Sequence, residues 1–102
     1  MTELAKLVRD RIPEIIRESG RVPEVSIVEG AQFIASLKEK LLEEAQEVSN
    51  ATEDQIIEEL ADVLEVIDGI IETLEIDRHL LASLKAKKFA DRGGFTRGLI
   101  LH

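Results

Sequence analysis

Apolar residues recur along most of this chain with the three-and-four spacing of helices, and polar breaks cut the pattern into pieces. Residues 9–18, RDRIPEIIRE, predict a short first helix with Asp10 as its N-cap. Pro13 falls inside the first turn, where a missing N–H is harmless, and Ser19-Gly20 ends the helix. RVPEVSIVEG, bounded by Pro23 and Gly30, alternates at Val25 and Ile27 and predicts an extended connector or short strand. A second helix is expected from about Ala31 to Ser49. After the break at Asn50-Ala51-Thr52, Thr52 with Gln55 three residues on makes a capping-box pattern. It opens a third helix running to about Leu74. Asp77 caps a fourth helix to about Ala90, and the tail DRGGFTRGLILH reads as a glycine turn followed by an apolar piece. The pieces 25–28 and 98–101 could pair as a small two-stranded ribbon, which needs a helix beneath it to persist. No repeat, low-complexity tract or linker interrupts the chain, so residues 1–102 are expected to form a single all-α domain.

Two of these helices carry acids where apolar residues are due. A helix advances about 100° per residue, so faces can be assigned from spacing. In the second helix Ile34, Leu37, Leu41 and Val48 form one stripe, and Glu44 fills the place between Leu41 and Val48. An unpaired carboxylate at a core position costs several kcal/mol or must protonate. Glu47 lies at the edge of that stripe, with Lys40 beside it. In the third helix Ile56, Leu60, Val63, Ile67, Ile70 and Leu74 make a heptad-like seam, with Glu59 at its edge. Asp62 lies farther round and, taken alone, faces solvent. Val66 on one side, and Ile57, Ala61 and Leu64 on the other, spread the apolar surface over more than half the circumference. Such a helix must touch more than one neighbour, so a bundle completed by a second subunit is expected, as a homodimer or homotetramer.

Composition narrows the chemistry. Hydrophobic residues are 44% of the 102 but aromatics only 3%, so Leu, Ile, Val and Ala fill the core, which suits packed helices. Charged residues are 33% and the formal net charge is −8, a balance unsuited to nucleic-acid phosphates and suited to cations. The chain has no cysteine, which removes disulfides, thiolate metal sites and cysteine nucleophiles. The start is not a secretory signal and no run approaches the ~18 apolar residues that cross a bilayer, so a cytoplasmic protein with no membrane partner is expected.

ExxE in one helix and ExxD in the next each bring two carboxylates to one helical face. Across an antiparallel pair they could converge as four oxygen ligands, Glu44, Glu47, Glu59 and Asp62. Spacing alone equally fits solvated acids on an acidic protein. If a metal is held, all-oxygen ligation without histidine suits Mg²⁺ or Mn²⁺. His79 and His102 lie away from the motifs and are expected at the surface.

The residues EEAQE (43–47) and ELAD (59–62), with eleven residues between them, resemble the EExxE…ExxD signature of the all-α nucleoside triphosphate pyrophosphohydrolases. KLVRDRIPEII at the start is similar to the opening of a MazG-like, phosphoribosyl-ATP pyrophosphohydrolase-like subgroup. KKFADRGGF, Lys87 to Phe95, is similar to the Lys-Phe-x-x-Arg element near the end of MazG domains. The resemblance spans nearly the whole chain. It departs from the histidine-biosynthesis enzyme, with Leu42 where that enzyme has Gly and Glu65-Val66-Ile67 where it has Tyr-His.

The resemblance implies a helical bundle completed by oligomerisation that hydrolyses a nucleoside triphosphate, or a related nucleotide such as phosphoribosyl-ATP, to the monophosphate and pyrophosphate. It implies Glu44, Glu47, Glu59 and Asp62 as Mg²⁺ ligands, with Glu47 and Glu44 catalytic and Glu47 taking the proton of the attacking water. Glu43 would stand at the rim. Lys88 and Arg92 match the basic pair of the last helix and would meet phosphate oxygens, although a helix C-terminus also attracts cations without any ligand. Lys40 would contact phosphate or pair with Glu44. Arg9 and Asp10 either reach the site or tie down the first helix. Phe33, Phe89 and Phe95 are the only rings that could stack on a base, with Phe33 expected in the core. The competing reading is a non-enzymatic acidic helical oligomer that binds a structural cation or a protein partner.

Overall fold

The computed structural model describes residues 5–102. It contains four helices in chain order: α1 (Ile12–Glu18), α2 (Gly30–Asn50), α3 (Ile56–Thr73) and α4 (Arg78–Arg92). The all-α class is as expected. The chain forms two compact units, one through Ile70 and one from Ile71 on.

Local chemistry explains most helix boundaries. α1 starts two residues after the expected cap, with Arg11 at the N-cap and Pro13 in the first turn. Its end is closed by the Ser19 hydroxyl donating to the Ile16 carbonyl at 2.6 Å. α3 begins at Ile56, four residues after the expected cap Thr52; the Gln55 side chain accepts from the Thr52 N–H at 3.2 Å and so closes the turn that leads into the helix. α4 is capped as predicted: the Asp77 carboxylate accepts from the N–H groups of His79 and Leu80.

The C-terminus of α3 closes without glycine. Glu75 adopts φ +52°, its N–H donates to the Glu72 carbonyl, and the Ile76 N–H donates to the Ile71 carbonyl at 2.9 Å. This is a Schellman closure built on a non-glycine residue.

The ribbon is not formed, and no strand occurs among the described residues. Val25 and Ile27 in one segment, and Leu99, Ile100 and Leu101 in the other, are exposed. Neither segment buries a face, and an extended pair without one is marginal in water.

In the first unit α2 and α3 form an antiparallel hairpin joined by residues 51–55. Leu37 lies against Gly69, while Glu44 lies by Asp62, so the contact moves forward along α2 as it moves back along α3. A Cβ on Gly69 would meet the Leu37 Cδ2 at 3.1 Å, so the glycine makes the notch that Leu37 fills. The α2 stripe is as predicted, with Leu37 and Glu44 buried and Ile34, Leu41 and Val48 half-buried.

The covered face of α3 overlaps the predicted seam, whose Ile56, Val63, Ile67 and Ile70 are half-buried, but extends round towards Asp62 and Val66. Val66 is buried and Asp62 half-buried, whereas Leu60 and Leu74 are exposed. The line nearest α2 is Glu59, Asp62, Val66 and Gly69, where Gly69 permits close approach and Asp62 meets Arg9.

Candidate metal centre

α2 and α3 each present acids three residues apart, and carboxylate oxygens of Glu44, Glu59 and Asp62 all lie within 4.8 Å of one another. Glu44 is the single buried charged residue among those described. Lys40, one turn earlier on α2 and itself largely buried, brings its Nζ to 3.2 Å from the Glu44 Oε1. That pair is why a carboxylate can occupy a core position of α2, since without Lys40 the buried Glu44 charge would be stranded. Asp62 accepts a 2.6 Å hydrogen bond from the Arg9 Nη2. At the rim, the Glu43 Oε1 accepts from the Lys6 Nζ at 3.2 Å and from the Lys40 Nζ at 3.4 Å.

Two carboxyl groups respond in opposite directions. Desolvation alone would raise the Glu43 carboxyl, but the Lys6 hydrogen bond and the charges of Lys40 and Lys6 outweigh it and hold it below its ordinary value. Glu59 has no cation partner among the described residues. Desolvation, then the negative charges of Glu47, Asp62, Glu44 and Glu58, push its carboxyl upward. Glu47 is exposed and outside the close triad, yet near enough for its charge to act on Glu59.

A raised carboxyl means that the ionised form is disfavoured in the folded protein. Its penalty is absent at low pH and develops as pH rises through the raised value. Glu59→Gln removes that penalty. In chelator, the melting temperature of the variant should therefore gain on the natural protein as pH climbs from about 4 towards 7, then hold a constant lead. Thermal melts of both proteins across that range check it; parallel curves would show that Glu59 ionises without strain.

The local charges also fit a hard cation. Glu43, Glu44, Glu47, Glu58, Glu59 and Asp62 stand against three cations, Lys6, Arg9 and Lys40, so the acids outnumber the cations by three. A divalent ion would offset two of those charges, and the oxygen-only donors suit Mg²⁺ or Mn²⁺.

Of the predicted site residues, the structure therefore brings together Glu44, Glu59 and Asp62, with Glu47 alongside. Lys40 is engaged by Glu44 and Glu43. Arg9 pairs with Asp62, a contact that both brings it to the acids and ties the segment before α1 to α3, and Lys6 was not singled out at all. No sequence rule finds Lys6: it belongs to a non-helical segment 37 residues from Glu43, its partner.

Lys88 and Arg92 belong to the second unit. With Lys85, Phe89 and the Gly93-Gly94-Phe95 turn they line an open groove of about 570 Å³. A Cβ on Gly94 would meet the Phe89 ring at 3.1 Å, so a side chain there would push that exposed ring aside by a few tenths of an ångström. Cations beside exposed phenyl rings can receive an anion attached to a flat apolar group. His79 and His102 are exposed, and Phe33 is half-buried.

No helix among the described residues is long and apolar enough to cross a membrane. No family model matches the chain, and no solved structure matches it. An uncharacterized protein of Mycolicibacterium smegmatis is 46% identical to it over 56 residues, a stretch covering 54% of this chain and 57% of that protein. The chain thus spans less than two thirds of the relative it matches.

Proposed function

We propose that this chain is a Mg²⁺-dependent nucleotide pyrophosphohydrolase that works as a homo-oligomer in the cytoplasm, of the MazG-like kind its motifs resemble. The observation that carries the reading is the convergence of three carboxylates from two helices within 4.8 Å. Glu44, Glu59 and Asp62 would hold the metal, with Glu47 at its edge. Bound there, Mg²⁺ would supply charge neutralisation for phosphates and a more acidic water.

The chain's own part is proton transfer and positioning. Glu47 would accept the proton of the water that attacks the α-phosphorus, because it is one helical turn from Glu44 yet outside the triad, so its oxygens are left free for a proton. The oxygen–phosphorus bond to pyrophosphate breaks as the new one forms, and the pyrophosphate leaves with the bond's electron pair. Lys40, 3.2 Å from the Glu44 Oε1, would hold that carboxylate in place. Lys88 and Arg92 are proposed as phosphate contacts, supported by the groove they share with Lys85.

Oligomerisation is supported by the outer face of α3. Ile57 and Leu64, 77% and 61% exposed, stand with Leu60 on one stripe of that helix. Placing glutamate at both Ile57 and Leu64 should convert the assembly to monomers, read as a mass change by light scattering. An unchanged mass would remove this face from the interface.

The rival reading, an acidic helical oligomer with at most a structural ion, is favoured by one observation: Lys40 and Arg9 already neutralise Glu44 and Asp62. Pyrophosphate release measured over a panel of nucleoside triphosphates, with Mg²⁺ and with chelator, separates the two. Metal-dependent release from any of them supports the enzyme; none from the whole panel leaves the rival.

A further inference from the structure

The opening motif KLVRDRIPEII contributes two cations that the proposed chemistry has not used. Lys6 and Arg9 precede α1 in a non-helical segment, and both end on the acids: Lys6 on Glu43 at 3.2 Å, Arg9 on Asp62 at 2.6 Å. Both are more than half exposed, so they stand on the solvent side of the carboxylates, whereas Lys40 is largely buried among them. Arg9 grips Asp62 through Nη2 alone; among the described residues its other N–H groups meet no protein acceptor. A guanidinium built to pin a carboxylate would use two parallel bonds, and exposed pairs of this sort contribute only about 0–1 kcal/mol to stability. Asp62 is also one of the three carboxylates that converge. A divalent ion held by that oxygen set takes over the charge that Arg9 now balances.

We propose that Arg9, assisted by Lys6, is a phosphate-binding residue of the acid site: it neutralises Asp62 while no ion is bound, and turns to the substrate's phosphate chain when a divalent cation takes that carboxylate. The inference rests on the metal-binding reading above. The planar fork of Arg9 suits two oxygens of a phosphate, and the exposed Lys6 ammonium can follow as a point charge.

Calorimetry with Mg²⁺ alone, and then with inorganic pyrophosphate at saturating Mg²⁺, tests this on the full chain. Arg9→Gln should bind pyrophosphate about 10- to 100-fold more weakly, the range given by a lost charge-assisted hydrogen bond. The same variant should bind Mg²⁺ alone as tightly as the natural protein or tighter, and should melt at nearly the same temperature. Arg9→Lys, which keeps the charge and loses the fork, should recover part of the pyrophosphate affinity. A variant that melts lower yet binds pyrophosphate normally makes Arg9 a structural pin and overturns the proposal. If the natural protein takes up no Mg²⁺, the metal reading falls and this inference with it; if it takes up both ligands and Arg9→Gln does too, only the inference falls.

Discussion

Asp62→Asn and Glu44→Gln should each lower metal-dependent pyrophosphate release by more than about 100-fold while the protein stays folded. Changing even the outer partners of metal ligands loses about 10- to 100-fold, so loss of a direct ligand sets a higher floor. Both substitutions keep the side-chain shape and remove one negative charge from a site where three carboxylates lie within 4.8 Å. Without metal, melting temperature should therefore hold or rise for Asp62→Asn, whose released partner, Arg9, is more than half exposed and can turn to water. Glu44→Gln leaves Lys40 buried, but Glu43 still accepts from it at 3.4 Å, so the fold should survive. Release assays alongside thermal melts give both readouts. Turnover within a few-fold of the natural protein in both variants would take these carboxylates out of the chemistry.

Leu37→Ala should cost about 2–5 kcal/mol, the largest stability effect of any single apolar truncation in the first unit. Leu37 is 5% exposed and sits in the notch over Gly69, with the Cδ2 near the place where a Cβ would stand. Truncation leaves a void lined on one side by bare helix backbone, which cannot move in to fill it. Few other residues share the load: among the described residues of the first unit only Leu37 and Val66 are buried apolar side chains. Urea unfolding of the variant checks the loss. Adding Gly69→Ala to it should return part of the stability, because the new methyl group enters the emptied space and the helix loses a flexible residue. A loss below about 1 kcal/mol for Leu37→Ala would mean that the two helices are held elsewhere.

The sequence reading was most accurate where one helix supplies its own reasons. The α2 stripe, the burial of Glu44 within it, the Asp77 cap and the Ser19-Gly20 stop follow from spacing and side-chain chemistry within a turn or two. On α3, where apolar residues cover so much of the circumference that several faces compete, the predicted seam is only part of the covered face, with Ile56, Val63, Ile67 and Ile70 half-buried. The chosen line passes through Asp62 and Val66 rather than Leu60 and Leu74. The expected ribbon failed for a related reason: alternation in 25–28 is a local signal, and strands exist only when something covers one side.

The acid pairs themselves, their spacing and the oxygen-only character of any site they form were determined by the order of residues, because i and i+3 share a helix face in any protein. The class of fold was determined likewise, by periodicity in a chain nearly without aromatics. Only the tertiary structure decided which acids meet. It joined Glu44 to Glu59 and Asp62 and left Glu47 beside them, through an antiparallel contact whose register is set by Leu37 over Gly69. It also brought Lys6 and Arg9 to those acids from 37 and 53 positions away. Periodicity describes one helix at a time; the rotation of two helices about each other depends on which of many similar faces packs closest, and that comparison is made only in three dimensions.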